Sequence, residues 1–193
     1  MRVYLIRHAE SEENALGRSG VRVSVRDFNE MLVRSTASPL TELGRRQAQG
    51  LVGRLAGARI ERLYVSPFKR ALMTADALAR ATGLTPQVLP ELSEVLPPPG
   101  SERRRAVSVA SHFLRSYVRM LWAEGSHEGW RAGYGRARVA WAQVTAEPAK
   151  AVAAVSHAGL LGLMLWGLRR NPHWRVLKRD LSNGGISIVE RAG

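Results

Sequence analysis

The chain has 193 residues, 45% of them hydrophobic and 23% charged, a balance that suits one globular domain with a continuous core and excludes a disordered or fibrous chain. Its formal net charge is +13, carried almost wholly by arginine, because lysine stands only at Lys69, Lys150 and Lys178. The absence of cysteine excludes disulfides, thiolate catalysis and cysteine-type metal sites, and it fits a cytoplasmic location.

Neither end of the composition points to a membrane. The apolar run "VYLI" at 3–6 is too short for a secretory signal and runs straight into Arg7 and Glu10. The longest apolar stretch, "AGLLGLMLWGL" at 158–168, falls far below the roughly 20 residues of a bilayer span and reads as a buried helix. The positive charge has two readings. One is an arginine-rich composition spread over solvated faces; the other is a field that attracts anionic substrates or nucleic acid. The densest run, "SERRRAV" at 101–107, lacks the interleaved aromatics of a single-strand-binding groove, so nucleic acid is not expected.

In chain order, "RVYLI" at 2–6 reads as a short strand. At 41–56, Ala48, Leu51, Val52 and Leu55 fall on one helical face, with Thr41 as its cap. "IERLYVS" at 60–66 is a second strand, and 67–83 is a helix opened by Pro67 and closed near Gly83. A short strand at 86–90 and a loop over 95–105 follow. Helices are expected over 106–122 and 135–146, then a buried strand at 151–156, an apolar helix at 159–169 and a last strand at 185–190. Strands alternating with helices predict an α/β fold, a three-layer sandwich with a mainly parallel central sheet. Residues 17–37 and 95–134 show the least regular patterning and read as insertions, lids or specificity segments of a single domain spanning 1–193.

Three of these strands end in residues with chemistry. The first runs into Arg7 and His8. The second is followed within a turn of helix by Arg70, four residues after Ser66. The buried strand at 151–156 runs into His157. Ligands of parallel α/β sheets bind at the carboxyl ends of strands, so two arginines and two histidines are expected to meet at one rim. Arginine forks match phosphate oxygens, a neutral imidazole can accept a phosphoryl group, and a second imidazole can stabilise charge on the transferring group. The helix after His157 adds its positive end near the same anion. A zinc site built on His8, His157 and a carboxylate is the competing reading. It lacks HxxxH or HExxH spacing, and the neighbouring arginines would repel a dication.

These blocks resemble those of the histidine phosphatase, or phosphoglycerate mutase-like, superfamily. "LIRHAE" at 5–10 is similar to its Arg-His-Gly signature. "PLTELGRRQAQGLVGRL" at 39–55, "YVSPFKRALMTADAL" at 64–78, "VSHAGLLGLML" at 155–165 and "LSNGGISIVE" at 181–190 resemble later blocks in the expected order. The resemblance implies His8 as a nucleophile that becomes phosphohistidine. It implies Arg7, Arg70 and His157 as the rest of a phosphate pocket, and neither metal nor organic cofactor. It also implies substrate contacts at Asn14 and Glu10; Ser66 either joins the site or only shapes the turn before Arg70. The family's general acid follows the strand at 86–90, where Glu94 fits the Leu-x-Glu register and Glu91 competes. The usual aromatic and glycine after that acid are replaced here by "VLPPPG", and Ala9 stands where glycine is usual.

Three functions follow from this reading. A phosphomonoester hydrolase acting on a small phosphorylated substrate or a phosphoprotein is expected first. A phosphotransferase of the mutase type is the alternative, disfavoured by the chain's length. The third is a basic anion- or nucleic-acid-binding protein on an inactive scaffold, against which the intact quartet of Arg7, His8, Arg70 and His157 argues. A homodimer is compatible with all three. Specificity is expected from residues 17–37 and 95–134, where the resemblance is weakest. The second segment holds Arg103, Arg104, Arg105, His112, His127, Glu128, Trp130 and Arg131, which read mostly as surface residues, any of them a candidate to face an anionic substrate.

Overall fold

The computed structural model describes residues 1–100, 106–120 and 128–192. The chain forms β1 (Arg2–Arg7), α1 (Glu12–Arg18), β2 (Arg22–Val23), α2 (Val25–Arg34), α3 (Glu42–Leu55), β3 (Arg62–Val65), α4 (Lys69–Thr82) and β4 (Gln87–Val88). It continues through β5 (Val107–Ser108), α5 (Val109–Arg119), α6 (Trp130–Val144), β6 (Ala151–Ser156), α7 (Ala158–Leu168), β7 (Trp174–Lys178) and β8 (Ile186–Arg191). Short 3₁₀ turns at Ser35–Ala37 and Pro90–Leu92 flank the site.

The main sheet runs β4-β3-β6-β1-β8-β7. The first four strands in that order are parallel, while β8 pairs antiparallel with both β1 and β7. Side chains of β1 alternate between its two faces, as the pleat requires. Tyr4 and Ile6 pack with Leu51 and Leu55 of α3 and Ala71, Ala75 and Leu78 of α4. Val3 and Leu5 pack instead with Ala137, Ala140 and Val144 of α6 and Leu160, Leu161, Met164 and Leu165 of α7. This is the expected three-layer sandwich. Strand β6 is buried at every position, and its three alanines let helices approach from both sides.

Local signals place the helices. Thr41 caps α3, its hydroxyl accepting the Gly44 N–H at 3.0 Å. Gly83, at φ 72°, ends α4 in the left-handed region that favours glycine. The strands expected at 60–66 and 86–90 are shorter, at four and two residues. The helix expected at 135–146 starts earlier, at Trp130, and the last residues of the one expected over 106–122 lie outside the described residues.

Two readings needed correction. Residues 17–37 are not irregular. Ser24 opens α2 with a capping box closed by Asp27, and Phe28 and Leu32 bury its inner face. Strand β2 then pairs with β5 in a two-stranded ribbon, joining the two segments of weakest patterning. Strand β7 was missed, because "WRVLK" carries arginine and lysine on an edge and shows no buried alternation.

The chain crosses from β1 to β3 before β6 returns to lie between them. The carboxyl ends of β6, β1 and β3 therefore form one rim beside the reversal of direction at β8. Gly44 lets α3 reach this rim: a Cβ there would overlap the backbone carbonyl of Glu10, in the loop after β1. Gly44→Ala is expected to destabilise the protein by about 1–3 kcal/mol, the cost of overpacking against backbone. Urea unfolding of the two proteins checks it.

Candidate active site

Register brings the expected residues level. Arg7 pairs with Ser156, so His8 and His157 follow level with each other, while Val65 pairs with Val155 and sets Ser66 one position back, level with Ser156. The His8 and His157 ring centroids are 5.0 Å apart, and both histidines are buried.

His8 has a defined tautomer. Its Nδ1 donates to the carbonyl of Ala9 at 2.7 Å, because a carbonyl can only accept. Nε2 is then left with its lone pair, which accepts the Arg70 Nε–H at 3.1 Å. Burial, followed by the charge of Arg70, holds the His8 pKa well below its usual value, so the ring stays neutral.

Arg70 is buried on the first turn of α4 although it carries a charge. One terminal nitrogen donates to the Ser35 carbonyl at 2.6 Å, the Ser35 hydroxyl at 3.2 Å and Glu13 Oε2 at 3.2 Å. The other has no partner among the described residues. The ring of Phe68 lies 5.0 Å from the guanidinium carbon. Arg7 donates to the carbonyl of Leu181 at 2.8 Å, and its buried Nε has no partner among the described residues.

His157 Nε2 and the Ser66 hydroxyl share a hydrogen bond of 2.7 Å. That hydroxyl already accepts the Phe68 N–H, at 3.3 Å, and has a hydrogen to give. When it gives that hydrogen to Nε2, the ring hydrogen sits on Nδ1, a buried atom without a partner among the described residues. Burial is the main reason the His157 pKa is also well below its usual value, with the charges of Arg70 and Arg7 adding to it.

Glu94 takes the end of α7 that was expected to face the anion. Its carboxylate accepts the N–H of Gly159 at 3.4 Å, of Leu160 at 3.2 Å and of Val95 at 2.9 Å. Those donors and the Arg70 charge favour ionisation, yet burial prevails and raises the carboxyl above its usual pKa. A Cβ on Gly159 would sit 2.5 Å from Glu94 Oε1, so glycine is what admits the carboxylate to the helix end.

The turn carrying Glu94 is held by Arg136 of α6, which the sequence reading missed. Its five N–H groups reach the carbonyls of Glu91 (2.9 Å), Ser93 (2.6 Å) and Glu94 (3.3 Å) and both carboxylate oxygens of Glu128 (2.7 and 2.5 Å). The Ser156 hydroxyl donates to the carbonyl of Leu92, at 2.7 Å, in the same turn. No spacing rule links residue 136 to residue 94.

Part of this cluster opens onto a cavity of about 630 Å³ lined by Arg7, His8, Asn14, Arg70, Glu94 and Asn183 among others, while His157 lies fully buried behind the lining. Asn14 Oδ1 accepts from Asn183 Nδ2 at 2.8 Å, and Asn183 also donates to the His8 carbonyl at 3.3 Å. Glu10 was expected at the substrate but does not line the cavity. It is buried behind it, accepting the Thr41 hydroxyl at 2.7 Å and pairing with Arg18. Glu91 does not line it either. Of the residues named in the second segment, Trp130 lines the cavity, His112 Nε2 donates to the Val23 carbonyl at 3.0 Å, and Glu128 binds Arg136. Arg103, Arg104, Arg105 and His127 lie outside the described residues. Glu13, Ser35 and Asn183 were missed; only the "LSNGG" block hinted at the last. Among the described residues, no three of His, Cys, Asp and Glu gather as a metal-ligating cluster, and no helix is long and apolar enough to cross a membrane.

The three-layer α/β sandwich brings two buried histidines, the buried Arg70 and the partly buried Arg7 to one rim of the sheet. The family model of the histidine phosphatase superfamily (branch 1) matches residues 3–193, and the chain belongs to that family. No curated protein matches the chain. Among solved structures, a proposed α-ribazole-5'-P phosphatase of Escherichia coli str. K-12 is 25% identical, with a TM-score of 0.66 over 97% of this chain and 89% of that one. YhfR of Bacillus stearothermophilus is 21% identical, with a TM-score of 0.67 over 100% and 92%. Phosphoserine phosphatase of Entamoeba histolytica, in complex with 3-phosphoglyceric acid, is 20% identical, with a TM-score of 0.63 over 97% and 89%. At those identities the last two speak for the fold alone.

Two outcomes follow from this geometry. The unfolded chain protonates His8 and His157 near pH 6.5, whereas the folded chain resists, so stability falls as pH drops below that value. The slope is expected to reach about 1.4 kcal/mol per pH unit for each histidine, and His157→Gln should make it shallower; chemical unfolding between pH 5 and 7.5 checks this. Arg136→Met frees three carbonyls and the Glu128 carboxylate, and should cost about 2–4 kcal/mol on thermal or urea unfolding.

Proposed function

We infer that the protein is a phosphomonoester hydrolase that works through a phosphohistidine on His8 Nε2. The observation that carries this reading is the His8 tautomer. The Ala9 carbonyl holds the hydrogen on Nδ1, so the lone pair of a neutral ring stands at Nε2, beside the Arg70 guanidinium.

A phosphate drawn between Arg7, Arg70 and His157 would take over the Arg70 Nε–H, releasing the lone pair for attack on phosphorus. The bond from Nε2 to phosphorus forms as the bond to the leaving oxygen breaks. Arg7, Arg70 and the His157 ring N–H stabilise the charge on the remaining oxygens. Glu94, whose acid form burial favours, gives its hydrogen to the leaving oxygen. Water then attacks the phosphohistidine, passes its proton to the Glu94 carboxylate, and leaves phosphate and a neutral His8.

Phosphate release from 4-nitrophenyl phosphate is expected, undiminished by EDTA and abolished in His8→Ala; full activity in that variant would overturn the reading. Phosphate migration without release would identify a phosphotransferase instead. Because the acid form of Glu94 serves the first transfer, activity should fall as pH rises through its raised pKa. Glu94→Gln should remove that alkaline limb and slow alkyl phosphates by about 10²–10⁴-fold, and slow the nitrophenyl ester less, because its leaving group needs no proton and only the second transfer loses its base. A pH–rate profile on both substrates reads this out.

A further inference from the structure

The phosphate end occupies only part of the cavity. At about 630 Å³ the space suits a whole metabolite-sized ligand, whereas Arg7, His8 and Arg70 bound only one end of it. The remaining wall is aromatic. Phe113 and Tyr117 stand one helical turn apart on α5, Trp130 opens α6, and all three line the cavity. Their rings form a ladder of similarly inclined faces. Phe113 and Tyr117 are 6.3 Å apart with 23° between planes; Tyr117 and Trp130 are 6.2 Å apart with 30°. Phe28, fully buried on α2, meets Phe113 edge-on at 5.1 Å and fixes it from behind. Burial, with Glu94 nearby, raises the Tyr117 phenol above its usual pKa, so this wall carries no charge at working pH.

The charges lining the cavity point the same way. Beyond Arg7 and Arg70, the lining holds one further cation among the described residues, Arg18. Arg18 is matched by Glu10 and also donates to Asn183 Oδ1, at 3.5 Å. A second anionic group on the substrate would meet no unshared cation among these residues, and it would face the Glu13 carboxylate.

The geometry points to a substrate class: a phosphate monoester whose alcohol carries a flat aromatic or apolar group, rather than a phosphorylated carboxylate or a small polyol phosphate. This rests on the proposed hydrolase reading for its phosphate end, but the aromatic wall can be tested without turnover. A planar group sliding along the ladder gains offset-stacked contacts at several rings, which a polyol cannot.

The experiment compares 2-phenylethyl phosphate, glycerol 3-phosphate and 3-phosphoglycerate, three esters of primary alcohols, on the full chain with His8→Ala as blank. The phenylethyl ester is expected to show a kcat/KM at least about tenfold above the other two. In Phe113→Ala and Trp130→Ala its advantage should shrink about three- to tenfold, the scale of one aromatic contact. Equal or better turnover of 3-phosphoglycerate, or variants that slow all three esters alike, would overturn the inference. Should His8→Ala abolish nothing, the hydrolase reading fails, and calorimetric binding decides the aromatic wall. There, 2-phenylethylphosphonate binding more tightly than 3-phosphonopropionate, with the margin reduced in Phe113→Ala, supports it. The reverse order sinks it.

Discussion

The site depends on one buried cation, the guanidinium of Arg70. Removing such a group from water costs several kcal/mol unless it is paired and its donors are satisfied. Here the partners come from three separate parts of the chain: Glu13 on α1, Ser35 after α2 and His8 after β1. The same contacts that make the burial tolerable also fix the His8 ring and hold the Arg70 Nε–H on its lone pair. On the proposed hydrolase reading, a phosphate would meet a pocket whose charges are already oriented, with little reorganisation left for the reaction itself.

Glu94 sits under opposing demands. The first N–H groups of α7 and the Arg70 charge favour its carboxylate, and burial favours its acid form. A group balanced in this way can donate a proton in one half of a reaction and accept one in the next, which a strongly stabilised carboxylate would not do. The balance requires the carboxyl to be held, hence the Arg136 fork on its turn and the bare Cα of Gly159 beneath it. It also gives Glu94, rather than the anion, the positive end of α7.

Much of the arginine content has local work that needs no partner molecule. Arg7, Arg22, Arg54, Arg119 and Arg136 each donate to backbone carbonyls in turns and loops, where no helix or strand partner is at hand. A planar fork does this better than an ammonium group, because two fixed donors can serve one carbonyl or two neighbouring ones. Others, such as Arg2, Arg26, Arg62 and Arg80, pair with carboxylates at the surface. The excess charge is thus compatible with an ordinary solvated exterior.

The amino-acid sequence by itself determined the sandwich and the core of the pocket. Apolar strands that end in Arg7, His8 and His157, and a helix that begins with Arg70, are local patterns, and parallel strands bring such ends to one rim whatever lies between them. It also left the acid between Glu94 and Glu91, because both lie within one turn and only packing decides which carboxyl enters the cavity. Tertiary structure alone decided the rest: that α2 is ordered by burying Phe28 and Leu32, that Glu10 serves Thr41 and Arg18 behind the pocket, and that Arg136 holds a turn more than forty residues away. Those outcomes come from contacts between segments distant in the chain, and no periodicity or motif encodes a contact whose partner is chosen only when the layers close.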